Sequence, residues 1–229
     1  MPQPDLVIFD CDGVLVDSEV IAAAVEAELL TAAGYPITGE EISEIYSGLT
    51  FSDIMLRIEE KAAIPFQASL IDQAEALVDR RLKAKVRAID GVHKAVAGVS
   101  VNRCICSNSS GERLEMMLTK TALMPFFSGR IFSSLDTPTK KPKPAPDVFL
   151  HAAETMGADP ANTFVIEDSV HGIAGARAAN MRVIGFTGAA HSFPGHADAL
   201  TEAGAETVIR RWADFRGVVA ALSEWSADA

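Results

Sequence analysis

Leu6-Val7-Ile8-Phe9-Asp10-Cys11-Asp12-Gly13-Val14-Leu15-Val16-Asp17-Ser18 joins four consecutive apolar residues to two carboxylates one residue apart, followed by a glycine. The apolar run reads as a short strand buried on both faces. Two acids at the carboxyl end of such a strand repel each other and lose solvation, so a cation or a proton has to compensate them. Open α/β sheets bind their ligands at this end of the strands. The stretch therefore predicts a divalent metal site in which one carboxylate is free to attack or to shuttle a proton. The competing reading is an Asp-Gly turn with an aspartate capping the next helix.

Downstream, from Ser18 to Val86, the pattern is helical and strand-like runs are missing. Ile21, Val25 and Leu29 recur every four residues, and Gly34 stands where a helix would end. Thr38 followed three residues later by Glu41 has the form of a capping box. Leu70, Ala74, Leu77 and Val78 line one side of a further helix. Strand and helix then alternate: strands at Val101–Cys106, Arg130–Ser133, Thr163–Ile166, Arg182–Phe186 and Thr207–Ile209, and helices at Gly111–Leu123, Pro146–Met156, Val170–Asn180 and from Trp212. Such alternation implies an α/β fold with a doubly wound, Rossmann-like parallel sheet covered on both faces. The helical block is therefore an insertion after the first strand, placed where it could lie over the sheet's carboxyl edge.

The 229 residues, 48% of them hydrophobic, supply ample material for a core. A net charge of −11 argues against nucleic acid as a partner. The one dense positive cluster, Lys140, Lys141 and Lys143, is interleaved with prolines, as a solvated loop or a local anion site would be. Three cysteines give no disulfide framework and no zinc spacing. The start Met1-Pro2-Gln3-Pro4-Asp5 has neither a basic region nor a long apolar segment, and no run reaches a membrane span. A soluble, cytoplasmic protein without membrane partners is expected, with its oligomeric state unreadable.

Three further segments stand where strands should end. Cys106-Ser107-Asn108-Ser109-Ser110 offers hydroxyls and backbone N–H groups to an anion ahead of a helix. Lys141-Pro142-Lys143-Pro144-Ala145-Pro146-Asp147 sets lysines on a stiff loop. Ile166-Glu167-Asp168-Ser169 puts two acids after a buried strand. Each also reads as a cap, a loop or a turn; it is the four in this order that carry weight.

In that order they resemble the haloacid dehalogenase superfamily, in the branch of small phosphatases and β-phosphoglucomutase, over nearly the full length. The family's first motif is met by Asp10, Asp12, Gly13, Asp17 and Ser18, its second by Ser107, its third by Lys143 in preference to Lys141, and its fourth by Glu167 and Asp168. The resemblance implies Asp10 as nucleophile forming an aspartyl-phosphate, with Asp12 as general acid and base. Ser107 and Lys143 would hold the phosphoryl oxygens, assisted by Asn108 through its backbone N–H and by Ser109. Mg²⁺ would be held by Asp10, the backbone carbonyl of Asp12 and Asp168, with Glu167 a ligand or a support behind the ligands. His171 is expected to face its neighbours or solvent.

The implied activity is hydrolysis of small soluble phosphate monoesters, sugar or sugar-acid phosphates of the 6-phosphogluconate kind first and phosphoglycolate next. The alternative is a β-phosphoglucomutase-type phosphosugar mutase. Those mutases carry a histidine where Ala22 stands, and an arginine three residues after a cap-loop glycine, where Gly48 is followed by Leu49, Thr50 and Phe51. Dehalogenases lack an acid at the position of Asp12, and a binding protein without turnover would not need every chemical position filled. The resemblance also implies that the helical block is an inserted α-helical cap domain, 18–86, on a catalytic core formed by 1–17 and 87–229. Substrate selection is expected from that cap, with Glu19, Arg80, Arg81, Lys83 and the loop 46–51, including Gly48, as candidates.

Overall fold

The computed structural model describes residues 3–46, 49–62, 65 and 67–225. In chain order the elements are β1 (Leu6–Phe9), α1 (Glu19–Ala32), α2 (Gly39–Ile45), α3 (Phe51–Ala62), α4 (Ser69–Lys85), α5 (Val92–Ala97), β2 (Asn102–Ser107), α6 (Gly111–Lys120) and α7 (Met124–Phe127). There follow β3 (Ile131–Ser133), α8 (Asp147–Met156), β4 (Thr163–Glu167), α9 (Val170–Ala178), β5 (Arg182–Phe186), α10 (His196–Glu202), β6 (Thr207–Ile209) and α11 (Trp212–Trp225).

The six strands form one parallel sheet in the order β3-β2-β1-β4-β5-β6. All four residues of β1 and all five of β4 are buried, as strands covered on both faces require. Their side chains alternate between two cores. Val7 and Phe9 join Ile105, Phe127, Phe164, Ile166, Trp212 and Phe215 on one face, whereas Leu6 and Ile8 join Cys104, Cys106, Phe149, Val165 and Val183 on the other. The Phe9 ring lies 5.8 Å from those of Phe127, Trp212 and Phe215. Burying one such side chain contributes roughly 1.5–3 kcal/mol, so the two cores anchor the central strands. The strand order reverses direction between β1 and β4, and the crevice beyond their carboxyl ends is where an open α/β sheet takes its ligand.

Helices α1–α4 intervene between β1 and β2, in agreement with the helical pattern. The capping box forms: the Thr38 hydroxyl accepts from the Glu41 N–H at 3.1 Å, and the Glu41 carboxylate accepts from the Thr38 N–H at 2.8 Å. Ala23, Leu30, Ile42, Tyr46, Ile54, Met55 and Ile58 make a core of the insertion's own. Val25, Val78 and Leu82, from α1 and α4, instead join the core beneath the sheet, so these two helices tie the insertion down. The chain leaves for the insertion and returns from it side by side. The Asp17 N–H donates to Arg87 O, and the Ile89 N–H to Leu15 O, both at 3.0 Å.

Several boundaries differ from the sequence reading. The helix expected to reach Leu123 stops at Lys120, where the chain turns through Ala122 at φ 57°, and the one expected to reach Asn180 stops at Ala178, with Asn180 at φ 60°. Both are left-handed positions that end a helix. Helices α5, α7 and α10 went unpredicted; at six, four and seven residues they are too short to display a helical period.

Candidate active site

The strand ends gather the motif residues. Asp10 follows β1 directly, its N–H bonded to Ile166 O of β4 at 3.0 Å, and Glu167 is the last residue of β4. Asp10, Glu167 and Asp168 are all buried, and each offers a carboxylate oxygen within 4.8 Å of the others. The buried ammonium facing them is that of Lys143. Its Nζ donates to Asp10 Oδ1 at 2.6 Å, to Glu167 Oε1 at 2.6 Å and to Cys106 O at 2.7 Å, which uses all three donors. Lys141, by contrast, is exposed. Asn108 braces the lysine's loop, its Oδ1 accepting from the Lys143 N–H at 2.9 Å.

Asp12 lies beside this group, held by hydroxyls. Ser18 donates to its Oδ1 at 2.6 Å, and Ser107 and Ser109 donate to its Oδ2 at 3.2 and 2.8 Å. The Ser109 N–H in turn donates to the Ser107 hydroxyl at 3.0 Å. The contacts expected with phosphoryl oxygens are thus directed within the protein here. The serines turn to the nearest carboxylate and Lys143 to the two acids that flank it. Gly13, at φ 72°, has no room for a side chain: a Cβ there would lie 1.8 Å from Asp168 Oδ2.

The electrostatics follow from the count of charges. Desolvation, the first cause, pushes the Asp10 carboxyl well up; Lys143 opposes this, while Glu167, Asp168 and Asp12 add to it. Burial likewise raises Glu167, with Lys143 pulling the other way. Lys143 is itself raised, because its two carboxylates outweigh its own desolvation. Three clustered carboxylates against one ammonium leave a negative excess, and their donor atoms are all oxygen. A hard divalent cation suits such a donor set. Among the described residues this is the one such cluster of potential metal-binding side chains, and neither His171 nor the Asp12 carboxylate belongs to it.

Other expected residues are placed differently. Glu19, at the start of α1, is exposed as a residue, yet desolvation by the surrounding protein and then the charges of Asp12 and Asp168 push its carboxyl up to about 8. Arg81 does not join the site: its guanidinium forms a two-pronged pair with Glu28, with Nη1 2.9 Å from Oε1, on an exposed surface. The arginine's long side chain finds a carboxylate on the neighbouring helix α1, which satisfies it there. Gly48 lies outside the described residues. His191 and His196, which the sequence reading passed over, both contact Asp168. Nothing in an isolated histidine of the sequence signals a contact made across the fold.

Residues 7–186 match the family model for haloacid dehalogenase-like hydrolases. The chain belongs to that family. Its relatives narrow the branch. It is 27% identical over 197 residues to the 6-phosphogluconate phosphatase of Escherichia coli (strain K12), covering 85% of this chain and 87% of that one. Among solved structures, a conserved haloacid dehalogenase-like protein of unknown function from Agrobacterium tumefaciens superposes with a TM-score of 0.92 at 57% identity, over 96% of this chain and 99% of that one. A family hydrolase from Deinococcus radiodurans R1, solved with bound phosphate and sodium, gives 0.82 at 30% identity, covering 96% of both chains. Within the described residues no helix is long and apolar enough to cross a membrane.

Proposed function

We propose that this chain is a Mg²⁺-dependent phosphatase of small sugar or sugar-acid phosphate monoesters, working through an aspartyl-phosphate. The observation that carries the reading is the convergence of Asp10, Glu167 and Asp168 around Lys143 at the strand ends, with Asp12 held alongside. The E. coli 6-phosphogluconate phosphatase supports the substrate class, and the bound phosphate of the Deinococcus hydrolase supports the phosphoryl group as the moiety recognised.

Asp10 attacks phosphorus in line; the new bond is carboxylate oxygen to phosphorus, and the bond to the ester oxygen breaks. Asp12 gives its proton to the departing oxygen. It then takes one from the water that attacks the acyl phosphate, so that inorganic phosphate leaves and Asp10 is restored. General acid–base help of this kind contributes about 10²–10⁴-fold. Lys143 holds Asp10 in place and balances part of its charge. Serines 107 and 109 fix the orientation of Asp12 and stand ready to exchange that bond for a phosphoryl oxygen. Asp10, Asp168 and the Asp12 carbonyl, with Glu167 as ligand or support, would hold Mg²⁺, which would supply the charge neutralisation needed for a carboxylate to approach an anionic phosphate. The insertion, residues 18–86, acts as the cap that limits substrate size. Ala22 packs against the sheet's core and provides no base for phosphate shuttling between sugar positions.

The test is phosphate release from a panel of small esters with Mg²⁺ or with chelator, 6-phosphogluconate and β-glucose 1-phosphate included, using Asp10→Asn as control. Release that requires Mg²⁺ and vanishes in the variant is expected. Release that persists in Asp10→Asn, or in chelator, overturns the mechanism.

A further inference from the structure

The loop after β5 and the first residue of α10 each take hold of Asp168. His191 Nε2 lies 3.1 Å from Asp168 Oδ2, within ion-pairing distance, with both side chains buried (8% and 6% exposed). His196 Nε2 donates to the Asp168 carbonyl at 2.7 Å, and its ring is stacked on Phe193 with Nδ1 facing the Ser192 hydroxyl at 3.2 Å. The same loop is tied to the first motif, because the Ala190 N–H donates to Asp17 Oδ1 at 3.0 Å. Gly13 leaves the space this arrangement fills: a Cβ there would meet both Asp168 Oδ2 and, at 2.8 Å, His191 Cε1.

The three carboxylates differ in how they are fixed. Glu167 is held by Lys143 and by the Ser169 hydroxyl at 3.0 Å, and Asp10 by Lys143. Among the described residues, His191 makes the one close polar side-chain contact to the Asp168 carboxylate. That contact therefore restrains how the carboxylate is turned within its buried surroundings. A polar partner on one oxygen of a ligating carboxylate fixes which oxygen faces the cation.

We propose that His191 is a positioning residue for the metal centre: it pins Oδ2 of Asp168 against Gly13, so that the carboxylate's other oxygen is the one presented to the cation. The inference rests on the reading of Asp10, Glu167 and Asp168 as a divalent metal site. It assigns a role to a loop outside the four motifs, and it explains why a buried imidazole sits beside the cluster with its Nδ1 unpartnered. That nitrogen has nothing to contribute to the contact, which is made entirely through Nε2.

Calorimetric titration of the metal-free protein with Mg²⁺ alone tests this, independently of turnover. His191→Leu keeps volume but loses the donor, and its affinity should fall ~10-fold or more, as removal of a partner behind a metal ligand does. In His191→Gln, whose amide N–H reaches the position of Nε2, most of the affinity should return. His171→Ala, outside the cluster, should bind as wild type. Metal-free melting curves report whether each variant folds. If His191→Leu does not, His191→Asn replaces it, since its amide falls at the Nδ1 position. Undiminished affinity in the non-donating variant overturns the proposal, and so does equal loss in the Leu and Gln variants, which would mean packing alone. A wild-type protein that binds no Mg²⁺ sinks the metal site itself, a result distinguishable from either.

Discussion

Glu26 shows at a single residue how burial alone shapes this protein. It lies on α1, partly buried, and desolvation pushes its carboxyl from 4.5 to about 7. A carboxyl raised in the folded state binds its proton there more tightly than in the unfolded chain. Stability therefore falls as pH rises from the unfolded value, near 4.5, through the folded value, near 7. Above that window the ionised group is a full liability; below it there is none. Glu26→Gln should leave the melting temperature nearly unchanged at pH 4.5 and raise it at pH 8, by up to a few degrees for ~1 kcal/mol in a protein of this size. Melting curves at the two pH values check this, and an equal gain at both would contradict it. At the same scale, Lys143 is preferred to Lys141 in the sequence because Pro146-Asp147 follows it at the distance the family's motif expects. His191 was not legible in this way, since its partner Asp168 lies 23 residues away along the chain and on a different strand end.

At the scale of the element, α9 does more than cover the sheet. Ser169 caps it, accepting from the Gly172 N–H at 2.9 Å, and through the same hydroxyl donates to Glu167. The first turn of the helix is thereby clamped to the last residue of β4. A Cβ on Gly172 would lie 2.0 Å from the Glu167 carboxyl, which Lys143 and Ser169 hold and which cannot swing away cheaply. Gly172→Ala should therefore weaken Mg²⁺ dependence ~10-fold by displacing Glu167, even though alanine is the better helix former by about 1 kcal/mol. Titration of turnover against Mg²⁺ measures it; an unchanged half-saturating concentration would show that Glu167 has no part in holding the ion. Long amphipathic helices such as α4 were legible in the sequence because their period repeats. The short α5, α7 and α10 were not, being formed by what the sheet packs against them.

Across the whole molecule, the parallel sheet could be read from the alternation of buried strands with helices, and the insertion from its lack of strands. The side-by-side exit and return at Asp17 and Arg87 could not, because contacts between residues 70 apart leave no local pattern. Nor could the placement of Arg81, whose partner Glu28 is 53 residues away. The four motifs were visible because their chemistry recurs at strand ends, whatever the packing behind them.

The negative excess at the carboxylate cluster bears on evolution and on practical handling alike. In the metal-free protein those charges oppose the fold, which is held by cores lying elsewhere. Disabling the nucleophile should therefore harden the scaffold: metal-free Asp10→Asn should melt above the metal-free wild type at pH 7, and the order should reverse on adding saturating Mg²⁺. Thermal melts with and without the ion reveal the crossover, and its absence would mean that the cluster carries no strain. An inactive form more robust than the active one would leave selection for activity as the force that keeps Asp10, and would offer a durable vehicle for trapping an uncleaved ester.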